Sequence, residues 1–189
     1  MVGRPATVED GQRRILVAGM GNLLRGDDGF GIEVVRRLSQ RTDLPPEVRA
    51  VEVGIAGIPL VQELLDGYGM LIIVDAVTGG RSAGTVVTLA PELPDLADAS
   101  WEEIGTLLGD PHTATPSRVL LLARALGSLP EHVFIVGCEP VVCEEMSLNL
   151  SPPVAAAVDE AVERVVTLAR NWLNKGALPA GRVAVPPIS

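Results

Sequence analysis

Aromatic residues are scarce in this chain: they make up 3% of its 189 residues, whereas hydrophobic residues as a whole make up 47%. The core must therefore be aliphatic, which is typical of strands buried between two layers of helices. Cysteine is rare as well. Cys138 and Cys143 are too few for a disulfide framework, and their spacing matches no zinc-binding pattern. We interpret Cys138, at the end of an apolar run, as a small buried hydrophobic residue.

Positive charge is limited too, since 15 lysine and arginine residues stand against 24 aspartate and glutamate residues, for a net charge of −9. No basic cluster is present, which argues against nucleic acid or an anionic membrane surface as a partner. No apolar run approaches the roughly 18 residues that a membrane span needs, so we expect no membrane insertion. Residues 1–12 lack the apolar stretch of a secretion signal. These absences favour a cytoplasmic protein.

What the chain does contain is an alternation of strand-like and helix-like segments. The predicted strands are 14–18, 48–53, 70–74, 85–89 and 133–137. The predicted helices are 29–40, 58–65, 101–108, 116–127 and a long helix opened by Ser151 and Pro152. This succession predicts an α/β fold: a single three-layer domain with a mostly parallel twisted sheet of about five strands and helices on both faces. We expect the domain to span 14–175, between a flexible segment 1–13 and a Pro/Gly-rich flexible tail 176–189.

A glycine-rich loop after the first strand carries two adjacent carboxylates, Asp27 and Asp28, to the start of a helix. If the first strand lies between the second and the third, the strand order reverses between the first and the third. Open α/β sheets bind ligands in the crevice at such a reversal. Because the loops after these two strands carry Asp28 and Asp75, we expect both carboxylates at one crevice, where His112 would add an imidazole.

Each of these polar side chains could instead have a local structural role. An aspartate at a helix start is most often an N-cap, worth about 0.5–2 kcal/mol, and only one of Asp27 and Asp28 can hold that position. We expect a role for Asp27 mainly at the helix start. Asp75 could simply accept hydrogen bonds from loop amides, and His112 could be an ordinary loop histidine.

Two other motifs resemble known sites without completing them. Gly19 and Gly21 begin a dinucleotide-binding pattern, but Leu24 occupies the place of its third glycine, so we expect no nucleotide. The two glycines are expected to allow a tight turn and a close backbone approach. Residues 80–84 match the G-x-S-x-G nucleophile elbow, but strand-forming residues follow where that motif needs a helix. We therefore interpret Ser82 as part of a turn between strands.

Two carboxylates and one imidazole form a credible open site for Zn²⁺, Ni²⁺ or Fe²⁺, because three protein ligands leave a position for water or substrate. Without a thiolate, the set Asp28, Asp75 and His112 should not select strongly between nickel and zinc. Selectivity for nickel over zinc would need further metal ligands from outside this set, for example from a partner protein.

These residues resemble the family of nickel–iron hydrogenase maturation endopeptidases. The resemblance rests on Gly19-x-Gly21-Asn22-x-Leu24-x-x-Asp27-Asp28-x-x-Gly31, Leu71-Ile72-Ile73-Val74-Asp75-Ala76, Pro111-His112, Val136-Gly137-Cys138-Glu139-Pro140 and Leu150-Ser151-Pro152. It implies a cytoplasmic α/β peptidase that removes a C-terminal peptide from the large subunit precursor of a nickel–iron hydrogenase after nickel has entered that subunit. It also implies that Asp28, Asp75 and His112 contact the metal, which the substrate presents. The chain departs from the family pattern at 113–116.

Several alternatives stay open at this point. Asp28 or Asp75 could act as a general base rather than as a metal ligand. A non-catalytic nickel-sensing maturation chaperone of the same fold is the competing function. We expect a monomer that docks transiently on its substrate, because no broad apolar stripe is left over from the core.

Overall fold

The computed structural model describes residues 13–55, 57–93, 116–141 and 146–175. Its strands are β1 (Ile15–Met20), β2 (Val48–Gly54), β3 (Met70–Ala76), β4 (Val86–Leu89) and β5 (His132–Cys138). Its helices are α1 (Phe30–Ser39), α2 (Gly57–Leu64), α3 (Pro116–Ala125) and α4 (Pro152–Lys175), and a 3-10 turn at Gly26–Gly29 precedes α1. Each predicted element in these ranges is present, with ends shifted by a few residues. The predicted helix 101–108, His112, Cys143, and the segments 1–12 and 176–189 lie outside the described residues.

The five strands form one sheet in the order β2-β1-β3-β5-β4. β1 pairs in parallel with β2 and with β3, β3 pairs in parallel with β5, and β4 is antiparallel to β5. The predicted mostly parallel sheet is therefore confirmed, and so is the position of β1 between β2 and β3. The strand order reverses between β1 and β3, which creates a crevice at their carboxyl ends.

Helices cover both faces of the sheet, as predicted. On one face, α1 and α4 pack on residues such as Val17, Ile72 and Val136. On the other face, α2 and α3 pack on the alternate residues, such as Leu16 and Ile73. β1 is buried at all six of its positions, because a strand covered on both sides presents no face to water. Among the described residues, no helix has both the length and the apolar character needed to cross a bilayer.

Two glycines let α1 start against the backbone of the sheet. A Cβ on Gly31, in the first turn of α1, would lie 2.1 Å from the carbonyl oxygen of Val74 and 2.4 Å from that of Met20. A Cβ on Gly19 in β1 would lie 2.4 Å from the carbonyl oxygen of Gly31. The predicted close backbone approach is confirmed, and it is an approach within the protein's own chain. It places the 3-10 turn directly above the crevice between β1 and β3.

Candidate active site

Gly21 lies between the backbone of Asp28 and the carboxylate of Asp75. It has a φ of +119°, a conformation that side chains rarely adopt, and so forms the tight turn that the sequence predicts. A Cβ at this position would lie 1.7 Å from the carbonyl oxygen of Asp28 and 3.7 Å from Oδ1 of Asp75. The structure thus brings Asp28 and Asp75 together at the crevice. His112 lies outside the described residues, so its placement stays a prediction.

Asp28 sits in the 3-10 turn and is half-buried. Its Oδ2 accepts a hydrogen bond of 3.0 Å from the backbone N–H of Asn22, in the loop after β1. Neither the 3-10 turn nor α1 has a side-chain N-cap, so the N-cap interpretation is wrong for both Asp27 and Asp28. Burial raises the pKa of Asp28, although the bond from Asn22 and the charge of Arg25 oppose that rise.

Asp75 lies near the carboxyl end of β3 and is 7% exposed. Its Oδ1 accepts a hydrogen bond of 2.9 Å from the N–H of Ala76. Burial, and then the negative charge of Asp28, raise the pKa of Asp75 to about 7, although the Ala76 bond opposes them. A carboxyl group with this pKa exchanges its proton readily near neutral pH, as a general acid or base must.

Asp27 is 2% exposed. Its carboxylate accepts three hydrogen bonds: from the N–H of Ser151 at 2.6 Å, from the hydroxyl of Ser151 at 2.8 Å and from the N–H of Val141 at 2.9 Å. The expectation that Asp27 acts mainly at the start of its own helix is therefore wrong. It bonds instead to the start of α4 and to the segment after β5.

Glu139, directly after β5, is a buried carboxylate whose role sequence reasoning missed. Both of its oxygens accept hydrogen bonds of 2.9 Å from the N–H of Gly79, and the N–H of Gly80 donates to Oε1 at 3.0 Å. Burial acts to raise the pKa of Glu139, but the bonds from Gly79, Arg81 and Gly80 outweigh it and lower the pKa overall. The signals in the sequence were a carboxylate placed directly after a buried strand and its place in the motif Val136-Gly137-Cys138-Glu139-Pro140.

The serine motif forms a turn, as predicted. The N–H and the hydroxyl of Thr85 both donate to the carbonyl oxygen of Ser82, and the chain continues into β4 rather than into a helix. A nucleophile elbow needs a helix at that point, so Ser82 has no such role. The interpretation of Cys138 is also confirmed, since that side chain is fully buried.

Asp28 and Asp75 are the two members of the predicted metal site that lie within the described residues. In the part of the chain that the structure describes, no group of three or more His, Cys, Asp or Glu side chains could hold a metal ion. A cavity of about 380 Å³ lies where the loop after β1 meets the end of β2, and its lining includes Gly21, Asn22, Val53 and Ile55. The cavity offers a partly apolar space beside the loop that leads to Asp28.

Comparisons with known proteins agree with this architecture. The model of the hydrogenase maturation protease family matches residues 32–168. The chain is similar to hydrogenase expression/formation protein HupD of Rhodobacter capsulatus, 31% identical over 180 residues that cover 93% of this chain and 82% of that protein. It is similar to hydrogenase expression/formation protein HoxM of Cupriavidus necator, 32% identical over 171 residues that cover 90% of this chain and 79% of that protein.

Among solved structures, the chain resembles the hydrogenase maturating endopeptidase HybD from Escherichia coli, with a TM-score of 0.65 and 31% identity. That alignment covers 84% of this chain and 93% of the HybD chain. The family match and the similarity to HupD and HoxM both extend over most of the sequence. The chain therefore belongs to the hydrogenase maturation protease family.

Proposed function

We propose that this protein is an endopeptidase that removes a C-terminal peptide from the nickel-loaded large subunit precursor of a nickel–iron hydrogenase. The observation that carries the proposal is the pairing of Asp28 and Asp75 at the crevice of a fold shared with that family. The cytoplasmic location and the monomeric state stay predictions of the sequence.

In this proposal the nickel belongs to the substrate, and Asp28, Asp75 and His112 contact it. The chemistry of the two described carboxylates fits such contacts. Asp28 uses Oδ2 and Asp75 uses Oδ1 for backbone hydrogen bonds, and within the described residues the second oxygen of each has no hydrogen-bond donor. Carboxylate oxygens and an imidazole are ligands that Ni²⁺ accepts.

His112 can reach this edge of the sheet. It precedes Pro116, the first residue of α3, by four residues, which span at most about 14 Å. A helix that leads into a parallel strand starts at the carboxyl edge of the sheet, because it runs antiparallel to that strand. This chain length therefore supports the assignment of His112 to the site.

Peptide hydrolysis needs a water molecule to lose a proton as its oxygen bonds to the scissile carbonyl carbon. If Asp75 acts as the base instead of contacting the metal, its ionised carboxylate accepts that proton and passes it to the nitrogen that leaves as the C–N bond breaks, and a pKa of about 7 suits it to this exchange. The substrate's metal would supply polarisation of the carbonyl. Asp28 is the second carboxylate at the crevice with a raised pKa, and it takes the role of the base in the arrangement in which Asp75 contacts the metal.

The proposal is tested by the mass of a purified, nickel-loaded large subunit precursor incubated with and without this protein. We expect the precursor to lose a C-terminal peptide only when the protein is present, while nickel-free precursor keeps its mass. An unchanged mass of the nickel-loaded precursor would contradict the endopeptidase and favour the nickel-sensing chaperone.

A further inference from the structure

Asp27 and Asp28 are adjacent in sequence, yet their carboxylates face different partners. Asp28 is half-buried and bonds within its own loop, to the N–H of Asn22. Asp27 is almost fully buried, and its three bonds go to Val141 and Ser151, which are 114 and 124 residues away in sequence. Its carboxylate therefore ties the turn that holds Asp28 to the segment after β5 and to the start of α4.

The segment that Asp27 binds also holds the loop that follows Asp75. The carbonyl oxygen of Cys138 accepts a hydrogen bond of 2.9 Å from the N–H of Val77, two residues after Asp75. The carboxylate of Glu139 accepts hydrogen bonds from the amides of Gly79 and Gly80. The residues from Cys138 to Val141 thus contact both carboxylate-bearing loops, and Asp27 supplies the link on the Asp28 side.

The strength of this link follows from its chemistry. Hydrogen bonds to a charged acceptor are about twice as strong as neutral ones. Loss of the Asp27 carboxylate would leave the amides of Val141 and Ser151 without this acceptor, in a region where unpaired polar groups are costly. The turn Gly26–Gly29 is a single 3-10 turn, so it has little internal structure with which to keep Asp28 in place.

We propose that Asp27 is a positioning residue: its buried carboxylate fixes the place of Asp28 relative to Asp75 by anchoring the 3-10 turn to the segment after β5 and to the start of α4. This inference rests on the proposed function. A misplacement of about 1 Å of a reacting group costs about 100-fold in rate, so an anchor of this kind governs catalysis without touching the substrate.

The test uses Asp27→Asn in the full chain, with three measurements: kcat and KM for the nickel-loaded precursor, the unfolding temperature, and a crystal structure of the variant. The amide keeps the shape of the side chain but presents an N–H₂ group to a backbone N–H. We expect kcat to fall by about 100-fold with KM unchanged within about threefold. The crystal structure should show the Asp28 carboxylate displaced by about 1 Å or more relative to Asp75.

Glu63→Gln is the matched structural control. Glu63 is a partly buried carboxylate in α2 that accepts hydrogen bonds from the hydroxyl of Tyr68 and from Arg49, and it is not part of the crevice. This variant should lower the unfolding temperature while it keeps wild-type kcat. Ser151→Ala removes only the hydroxyl donor to Asp27, so it should fold and lower kcat by about threefold to tenfold.

The outcomes distinguish a failure of the positioning role of Asp27 from a failure of the proposed endopeptidase function. Suppose that the wild type processes nickel-loaded precursor, and that Asp27→Asn is less stable but keeps the kcat and the Asp28 position of the wild type. This result would overturn the positioning role of Asp27 and leave the proposed function standing. If Asp27→Asn does not fold, wild-type kcat in Ser151→Ala would overturn the positioning role. A wild-type protein that never shortens the precursor would overturn the proposed function and this inference with it.

Discussion

Asp75 is buried beside Asp28, and its burial together with the negative charge of Asp28 raises the pKa of Asp75 to about 7. In an unfolded chain the pKa of an aspartate is near 3.8. The folded protein therefore keeps a proton on Asp75 over a pH range in which the unfolded chain has released it. The free energy of unfolding must fall as the pH rises through that range.

Replacement of Asp75 by asparagine should remove this cost. Each pKa unit corresponds to about 1.4 kcal/mol. The rise in the pKa of Asp75 from 3.8 to about 7 therefore lowers the free energy of unfolding by on the order of 4 kcal/mol above pH 7, and does not change it below pH 4. We expect Asp75→Asn and the wild type to be equally stable at pH 4, with the variant gaining steadily up to pH 7. Urea unfolding from pH 4 to pH 8 measures this, and a constant difference across that range would contradict the pKa.

The three predicted site residues should be required for processing but not for folding. Asp28→Ala, Asp75→Ala and His112→Ala are each expected to abolish the shortening of nickel-loaded precursor while circular dichroism stays that of the wild type. Ser82→Ala is the control and should process normally, since Ser82 lies in a turn. Normal processing by all three variants would mean that the site is misplaced, and an inactive Ser82→Ala would revive the serine elbow.

Gly31→Ala tests the contact between α1 and the sheet. At this position the helix propensity of alanine and the steric clash of its Cβ have opposite effects on stability. Alanine is about 1 kcal/mol better than glycine inside a helix. Its Cβ, however, would lie 2.1 Å from the carbonyl oxygen of Val74, a backbone atom, and overpacking of this kind costs about 1–3 kcal/mol or more. We therefore expect a net loss of about 2 kcal/mol in chemical denaturation.

Gly67→Ala is the matched control for that variant. Gly67 has a φ of +80°, and a Cβ at this position would meet open space, so only backbone strain of about 1–2 kcal/mol applies there. Gly31→Ala should also displace the 3-10 turn and lower processing, whereas Gly67→Ala should not. A stabilised Gly31→Ala would show that helix propensity outweighs the close approach.

Glu139→Gln tests the turn between β3 and β4. Removal of the charge weakens the bonds from Gly79 and Gly80, and hydrogen bonds to charged groups are worth about 1.5–3 kcal/mol. Arg81→Ala removes only an ion pair of 3.7 Å from a side chain that is 35% exposed, so it should cost less than about 1 kcal/mol. Thermal and urea unfolding of both variants measure the difference, and equal losses would contradict the role of Glu139.

The fold was predictable because its determinants are local. β1 and β3 are continuous apolar runs, and helical periodicity predicts α1 and α4 with Gly and Pro at their boundaries. The shared crevice of Asp28 and Asp75 followed from a single assumption about the strand order, which the sheet confirms.

The roles of Asp27 and Glu139 were not predictable in the same way. Most of their partners are backbone amides far away in sequence, such as Gly80 for Glu139 and Val141 for Asp27, and no side-chain pattern marks an amide as a partner. The N-cap interpretation was wrong for a related reason. A local rule places a carboxylate at the nearest helix start, whereas here Asp27 bonds to the start of α4 instead.

The central claim is that Asp28, Asp75 and His112 meet around one divalent ion, and crystals soaked in Ni²⁺ test it most directly by anomalous scattering. We expect one anomalous peak within about 2.0–2.3 Å of a carboxylate oxygen of Asp28, a carboxylate oxygen of Asp75 and a ring nitrogen of His112. A peak elsewhere, or an imidazole of His112 beyond coordination distance of an ion held at the two carboxylates, would contradict the account.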